Sequence, residues 1–229
     1  SLVLGLSCVT GGQAADEAKS AAWMMRDDLT LLSPRDWQVF QRETRLRGRM
    51  MISGRVSQPC DRVEFRLTGK PLSGTLPRKW QRLLLNEQTR AFNVWIPAPA
   101  GGWYQFELRA LKNDKVIATR ILEHVGVGEV FIGAGQSNST NNGEFRTTVT
   151  SGMVSATDGV TWQLANDPQP GPHDLSVPHG AGAEGGSFWP AFGDAMYAKY
   201  HVPIGVEVTG HGGTSVTQWQ PDGMDRLQQ

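Results

Sequence analysis

The sequence is poor in cysteine, in charge and in long apolar runs, and each shortage excludes a class of protein. Cys8 and Cys60 are the two cysteines among 229 residues, so the fold does not depend on a disulfide framework. Charged residues make up 19%, too few for a disordered polyelectrolyte, and the 39% of hydrophobic residues can form a core. No apolar run approaches the roughly 18 residues of a transmembrane helix. We therefore expect a globular protein.

The formal net charge of zero hides two halves of opposite sign. Residues 26–123 carry 18 Lys/Arg against 10 Asp/Glu, whereas residues 125–229 carry 3 against 10. The acidic half argues against nucleic-acid binding there, and the arginines of the basic half are scattered rather than gathered in one block. We expect neither nucleic acid nor a membrane as a partner.

The first residues match the end of a secretory signal. The apolar stretch Leu2–Val9 is followed by small residues at positions 12 and 14 and then by Asp16 and Glu17. The basic region that normally precedes such a stretch is absent. We therefore expect residues 1–15 to be the remnant of a signal peptide and the protein to be secreted or periplasmic. The alternative interpretation of this stretch is a buried first strand.

Apolar and polar residues alternate between Pro34 and His124 in several short segments. The clearest examples are Val63–Leu67, Phe92–Ile96 and Tyr104–Ala110. A period of two predicts antiparallel strands with one face exposed to water. Asn113-Asp114 predicts a hairpin turn, and Pro97–Gly102 predicts a longer turn. We expect a small antiparallel β-sandwich over residues 34–124.

The pattern changes after His124. Val125–Ala134 is a nearly continuous apolar run, which predicts a strand buried on both faces. Phe188, Phe192 and Met196 follow helical spacing, with Pro190 in the first turn, and Val202–Val208 predicts a second buried strand. A strand, a helix and a strand in this order predict a right-handed crossover in a parallel sheet. Residues 138–186, rich in Gly, Pro, Asn and Asp, are predicted to form a loop that lines a site.

Two glycine-rich turns follow the two predicted parallel strands. They are Gly133–Asn138 and Gly210–Ser215. Ligands bind at the carboxyl ends of strands in open parallel sheets. Glycine lets backbone N–H groups approach a ligand and stabilise an oxyanion, and a serine on such a turn is exposed for attack. We therefore place the candidate site where these two turns meet.

Each turn also has a simpler interpretation. The serine in the first turn suits a helix cap, and the second turn suits a phosphate-binding nest or a tight connection. The first turn is not the G-x-S-x-G nucleophile elbow, because Ser139 stands where the second glycine belongs. It is not a dinucleotide fingerprint either, because Gly126-Val127-Gly128 comes before the strand and lacks the third glycine.

Three blocks in succession carry a family resemblance: GEVFIGAGQSN, GSFWPAFGDAM and VPIGVEVTGHGGTSVTQWQP. They resemble the opening blocks of the SGNH hydrolases, in particular the sialate O-acetylesterase-like carbohydrate esterases. The resemblance implies a three-layer α/β/α domain over residues 125–229, without a metal or another cofactor, preceded by an accessory β-sandwich. It also implies that Ser137 is the nucleophile, and that its backbone N–H forms the oxyanion hole together with that of Gly212 or Gly213.

The resemblance is incomplete in one respect. The family takes its general base and orienting acid from an Asp-x-x-His block near the C-terminus, and no Asp of this sequence is followed three residues later by His. A serine without its base is a poor nucleophile. We therefore expect an N-terminal fragment of such an enzyme that is nearly inactive by itself.

The predicted function is a serine esterase that removes O-acetyl groups from carbohydrate, of the sialic acid or plant polysaccharide type, through an acyl-enzyme. The alternative is a non-catalytic carbohydrate-binding protein with a degenerate hydrolase domain. The candidate substrate-binding residues are Gln136, Asn138, His211 and Trp219. Packing of the loop explains Trp219 equally well. We assign no metal site to His173, Asp174, His179 and Glu184, because their spacing fits no regular site.

Overall fold

The computed structural model describes residues 28–171 and 185–220. The predicted signal remnant of residues 1–15 lies outside the described residues, as does the group His173, Asp174, His179 and Glu184. In the part of the chain that is described, no helix is long and apolar enough to cross a membrane.

Strands dominate the described residues, which contain a single α-helix. The strands are β1 (Leu29–Ser33), β2 (Val39–Gln41), β3 (Arg47–Val56), β4 (Arg62–Thr68), β5 (Gln81–Leu83), β6 (Ala91–Pro99), β7 (Gly101–Lys112), β8 (Lys115–Gly133), β9 (Val154–Thr157), β10 (Trp162–Leu164) and β11 (Ile204–Val208). Helix α1 spans Trp189–Tyr200, and two 3-10 helices span Ser137–Ser139 and Val216–Trp219. The mixed α/β class is confirmed, with strands far more numerous than helices.

The first sheet has the strand order β1-β3-β6 and is antiparallel throughout. Buried and exposed residues alternate along β3, as its period-two pattern predicts. Met50 and Ile52 of this sheet are fully buried in one core together with Phe65 and Phe106 of the second sheet. Two sheets therefore pack face to face around this core.

The second sheet is mixed, with the order β10-β9-β11-β8-β7-β4-β5 and with β2 also pairing with β8. Strands β8, β7, β4 and β5 are antiparallel neighbours. Strands β8, β11 and β9 are parallel neighbours. The predicted parallel pairing is confirmed, since Ile204–Val208 pairs with Glu129–Gly133.

Strand β8 runs through the boundary that the sequence predicts between residues 124 and 125. It pairs with β7 past the boundary, as far as Val127, and with β11 from Glu129 onwards. Val125 and Val127 belong to the first core although they follow the boundary, and Leu29 belongs to it although it precedes Pro34. The first core therefore extends past both predicted limits, and the two predicted units share one strand.

The two turns predicted between strands have different outcomes. The hairpin at Asn113-Asp114 is confirmed: both residues have positive φ, 49° and 60°, and Lys112 pairs with Lys115. The prediction of a longer turn at Pro97–Gly102 is wrong. Pro97 and Pro99 pair with β3 inside β6, and Ala100 alone separates β6 from β7. The prolines are tolerated because β6 is an edge strand of the first sheet.

The segment predicted as a loop, residues 138–186, contains the strands β9 and β10. They form a hairpin in which Trp162 pairs with Thr157, around a turn that contains Asp158-Gly159. Strand β9 is buried at all four positions and pairs in parallel with β11. The predicted helix and the strand after it are confirmed, with a proline in the first turn of α1.

Helix α1 covers one face of the parallel part of the sheet. Val154, Ile204 and Trp189 form a second core there, and Phe131 and Phe192 pack against it. Successive residues of a strand point to opposite faces, so Ile132 lies on the other face, where 68% of it is exposed. Within residues 28–171 and 185–220 the α-helix therefore supplies one layer against the sheet.

Candidate active site

The two glycine-rich turns lie side by side because their strands are paired. Val208 at the end of β11 is in register with Gly133 at the end of β8. Beyond the strands, the Thr209 N–H donates to the Gly133 carbonyl at 2.9 Å, and the His211 N–H donates to the Gly135 carbonyl at 2.9 Å. The turns thus continue the sheet by two more hydrogen bonds and form one surface at the carboxyl ends of both strands.

The serine turn ends in the short 3-10 helix Ser137–Ser139. The carbonyl of Ser137 accepts the Thr140 N–H at 3.1 Å and the Asn142 side-chain amide at 3.2 Å. The Ser139 hydroxyl donates to the Gln136 carbonyl at 2.8 Å. By contrast, the half-buried Ser137 hydroxyl forms no hydrogen bond with another described residue. Of the two serines, Ser137 is therefore the one whose hydroxyl is available to a ligand.

Glycine at position 210 permits the close approach of the two turns. A β-carbon on Gly210 would overlap the Ser139 hydroxyl and the Thr140 methyl group. Gly212 and Gly213 differ in this respect, because a β-carbon on either would meet nothing within 4 Å. Both are exposed, and Gly213 has a φ of 74°. Gly210 therefore serves packing, whereas Gly212 and Gly213 lie on an exposed part of the turn.

A chain of hydrogen bonds shapes the second turn. The Trp219 indole N–H donates to the Thr214 hydroxyl at 3.0 Å, and this hydroxyl donates to the His211 carbonyl at 2.8 Å. Trp219 and His211 are both half-buried, and Gln136 is exposed across from them on the serine turn. Asn138 lies within the 3-10 helix between Ser137 and Ser139. The structure therefore brings the predicted site residues onto two adjacent turns and gives Trp219 a positioning contact.

Trp189, at the start of α1, holds the end of the serine turn in place. Its indole N–H donates to the Ser139 carbonyl at 2.9 Å, and only 5% of the residue is exposed. Trp189 is therefore a packing residue of the second core. Beside it, the side chain of Asn141 is buried and pairs with the backbone of Gln169 through bonds of 2.8 and 2.7 Å.

Two carboxylates hold the loops that surround this site. Asp167 accepts hydrogen bonds from the Ser187 hydroxyl at 2.5 Å and from the Thr147 N–H at 2.9 Å. Burial alone would raise the pKa of Asp167, but bonds from Ser187, Gln169 and the backbone outweigh it and hold that pKa below its usual value. With its lone pairs so engaged, Asp167 acts as an anchor. Sequence analysis did not identify it, because its donors come from distant segments.

Asp194 on α1 is the second anchor. It accepts four hydrogen bonds, from the backbone and the hydroxyl of both Thr150 and Ser151. Burial would raise its pKa, but these bonds outweigh burial and lower the pKa. The carboxylate therefore ties the loop before β9 to the helix.

One histidine–carboxylate pair of the kind that serine hydrolases use lies far from Ser137. His124 Nδ1 is 3.4 Å from Asp36 Oδ2, and its ring stacks on Trp37 with 3.7 Å between centroids. His124 precedes Gly133 by nine residues on the same strand, about 30 Å at about 3.3 Å per residue. This pair therefore cannot activate the serine.

In the described part of the chain, no three His, Cys, Asp or Glu side chains are grouped so that they could hold a metal ion.

No model of a known protein family matches the chain, and no curated protein matches it.

Proposed function

We propose that the chain carries the nucleophile of a serine esterase that removes O-acetyl groups from carbohydrate. One observation carries the proposal: the serine turn and the glycine turn are hydrogen-bonded to each other at the ends of two parallel strands. This arrangement places the Ser137 hydroxyl, which no other described residue binds, and the exposed glycines of the second turn at the same edge of the sheet, where acyl transfer would need a nucleophile and oxyanion donors. The resemblance to the SGNH hydrolases supports the same assignment.

In the proposed reaction the Ser137 oxygen attacks the ester carbonyl and transfers its proton to a general base. The negative charge on the carbonyl oxygen is then stabilised by the N–H of Ser137 and that of Gly212 or Gly213. Collapse of this intermediate breaks the bond to the sugar oxygen, which takes the proton from the base and leaves as a hydroxyl. The acetyl-serine that remains is hydrolysed by water to acetate and free serine. Glycine suits the second donor because a side chain would obstruct the carbonyl.

The general base must come from outside the two turns. The resemblance implies an Asp-x-x-His block, and no Asp of this sequence begins one. We propose that the base and its orienting acid lie beyond Gln229, together with the remaining layers of a three-layer α/β/α domain. Residues 1–229 alone are then expected to hydrolyse esters slowly.

The remaining assignments concern the substrate and the compartment. Gln136, Asn138 and His211 flank the proposed reaction centre and are assigned to the sugar. Trp219 adds an apolar surface beside them, held by its bond to Thr214. The proposed setting is secreted or periplasmic, in line with the signal-like residues 1–15, and the β-sandwich is proposed to be an accessory domain.

A second candidate function is a non-catalytic carbohydrate-binding protein. One observation favours it: the pair His124 and Asp36 lies about 30 Å along β8 from the serine turn, by its rise of about 3.3 Å per residue. In this case the two turns bind a sugar without attacking it.

Substitution of Ser137 tests the proposal and separates the two candidates. The full natural polypeptide that contains these residues is assayed with p-nitrophenyl acetate and with an acetylated oligosaccharide. Ser137→Ala should abolish hydrolysis, because loss of a nucleophile removes far more than a hundredfold of the rate. Ser139→Ala, two residues away, is the matched control and should retain most activity. Sugar binding without any Ser137-dependent hydrolysis would establish the second candidate instead.

A further inference from the structure

A basic groove lies between the β-sandwich and the C-terminal end of α1. It consists of three adjoining clefts with volumes of about 890, 420 and 380 Å³. Leu46 lines both the first and the second cleft, and Gly74 lines both the second and the third. The three clefts therefore adjoin one another along the surface.

Cations predominate along this groove. Its basic side chains are Arg42, Arg45, Arg47, Lys70, Arg78 and Lys199, and its two acidic side chains are Glu43 and Glu129. Both carboxylates are already neutralised, Glu43 by Arg49 at 2.5 Å and Glu129 by Arg42 at 2.6 Å. Apart from Arg42, none of the basic side chains forms an ion pair within the described residues. Five unpaired cations therefore face the groove.

The wall of the largest cleft is a built structure rather than a loose surface loop. The guanidinium of Arg42 is 8% exposed, binds Glu129, and also donates to the Arg45 carbonyl at 3.0 Å. The Thr44 hydroxyl accepts the N–H of Arg47 at 3.1 Å. These bonds fix the turn at residues 42–47, so Arg45 and Arg47 are held at the surface on a rigid backbone.

The groove is distinct from the candidate active site. Glu129 and His201 line it at the start of the parallel strands, whereas the serine turn follows their ends. From Glu129 to Gly133 the strand spans about 13 Å at about 3.3 Å per residue. A ligand in the groove therefore leaves Ser137 accessible.

We propose that this groove binds an acidic polysaccharide, whose carboxylates pair with the unpaired cations. An extended polyanion matches adjoining clefts with cations spread along them, and it gains from several weak contacts at once. The ring of Tyr200 also lines the groove and holds two of these cations, because Arg42 and Lys199 each lie 5.4 Å from its centroid. The choice of a polysaccharide over another polyanion rests on the proposed function, because the same chain is assigned to carbohydrate.

Binding of oligogalacturonate to the protein, measured by calorimetry, tests the proposal. Its methyl ester is the matched neutral ligand. We expect the acid form to bind, the ester not to bind, and the affinity to fall as salt rises, because ions screen charges over about 10 Å at 0.1 M. The double variant Arg45→Glu with Lys199→Glu should weaken binding on the order of tenfold. Each exposed ion pair between a cation and a ligand carboxylate contributes little, but this variant replaces two such attractions by repulsions.

The control carries the same change of charge elsewhere. Lys112→Glu with Lys115→Glu alters the exposed β7–β8 hairpin and should leave the affinity unchanged. Equal effects of both double variants, equal binding of the ester, or tighter binding of single-stranded DNA of the same charge would each overturn the proposal. Circular dichroism spectra check that both double variants fold. The double variant Arg45→Gln with Lys199→Gln removes the two positive charges without adding negative ones and is the milder test.

The assay also separates this inference from the esterase proposal, because it measures binding without turnover. Groove-dependent binding together with an inert Ser137 would contradict the esterase alone. Ser137-dependent hydrolysis without groove-dependent binding would contradict the groove alone.

Discussion

The indole ring of Trp189 lies so close to the Cα of Gly133 that a β-carbon at position 133 would overlap the ring. The same indole holds the Ser139 carbonyl through its N–H at 2.9 Å. One buried side chain therefore contacts both ends of the serine turn, and the absence of a side chain at position 133 is what allows it to sit there.

Gly133→Ala should destabilise the protein by about 1–3 kcal/mol, because overpacking a filled site forces neighbours to shift. Urea denaturation measures the change. The penalty should be smaller in the Trp189→Leu background, where the clash is relieved. An equal penalty in both backgrounds would show that position 133 resists alanine for another reason.

Gly210→Ala should lower the stability of the protein, whereas Gly212→Ala should lower its esterase activity. The first places a methyl group against Ser139 and Thr140 and should lower stability by about 1–3 kcal/mol. The second meets open space, so stability should change by less than about 0.5 kcal/mol. In the full natural polypeptide Gly212→Ala should still lower kcat/KM if its N–H is the oxyanion donor, because the N–H remains but the added methyl group would lie beside the ester carbonyl and hinder its approach.

Melting temperatures and esterase rates of the same two variants provide the measurement. Gly213→Ala is the companion variant, although its φ of 74° adds backbone strain. Full esterase activity in both Gly212→Ala and Gly213→Ala would show that neither α-carbon faces the bound ester, and would contradict the reason given for glycine at these positions.

Asp194 should make the stability of the protein depend on pH. Its pKa is lower in the folded state than in the unfolded chain, where Asp titrates near about 3.9. The carboxylate therefore stabilises the fold fully above about pH 5, and this contribution is lost as the pH falls through the folded pKa. Asp194→Asn should cost about 1 kcal/mol at neutral pH, because bonds to Thr150 and Ser151 weaken.

Urea denaturation at several pH values tests this expectation. The difference between Asp194→Asn and the unaltered protein should shrink below about pH 4. Glu87→Gln, on an exposed turn, is the control and should show no such trend. A difference that stays constant with pH would mean that the charge of Asp194 does not stabilise the fold.

The β-sandwich should fold by itself, with a β-type circular dichroism spectrum and a cooperative melt. Residues 28–128 should melt at a higher temperature than residues 34–124, because the shorter piece lacks the buried side chains of Leu29, Val125 and Val127. A disordered product from both pieces would show that the sandwich depends on the residues that follow it.

Local sequence patterns predicted the elements that depend on local chemistry. Alternation located β4 and β7, and helical spacing with Pro190 located α1. Turn residues that tolerate positive φ located the hairpin at Asn113-Asp114. The hairpin of β9 and β10 was missed, although Asp158-Gly159 is itself a turn signal. The many Gly, Pro and Asn residues around these short strands concealed them.

Long-range relationships were harder to predict. The prolines of β6 indicate a turn by their composition, and only the position of β6 at a sheet edge explains why they lie in a strand. Strand pairing allowed the two glycine-rich turns to be predicted as neighbours. The roles of Gly210, Asp167 and Asp194 arise from contacts between segments distant in sequence, and no local sequence pattern predicts these roles.

The continuity of β8 decides where this protein tolerates an inserted segment. A peptide inserted at His124 would interrupt β8 within its pairing with β7, and would separate Val125 and Val127 from the rest of the first core. The exposed tip at Asn113-Asp114 carries a smaller penalty, since an insertion there disturbs the turn itself and the polar contacts of Asn113 with Asp61 and of Asp114 with Arg62. Epitope tags, fluorescent reporters and circularly permuted termini therefore belong at that tip, although the boundary between the basic and acidic halves of the sequence lies near His124.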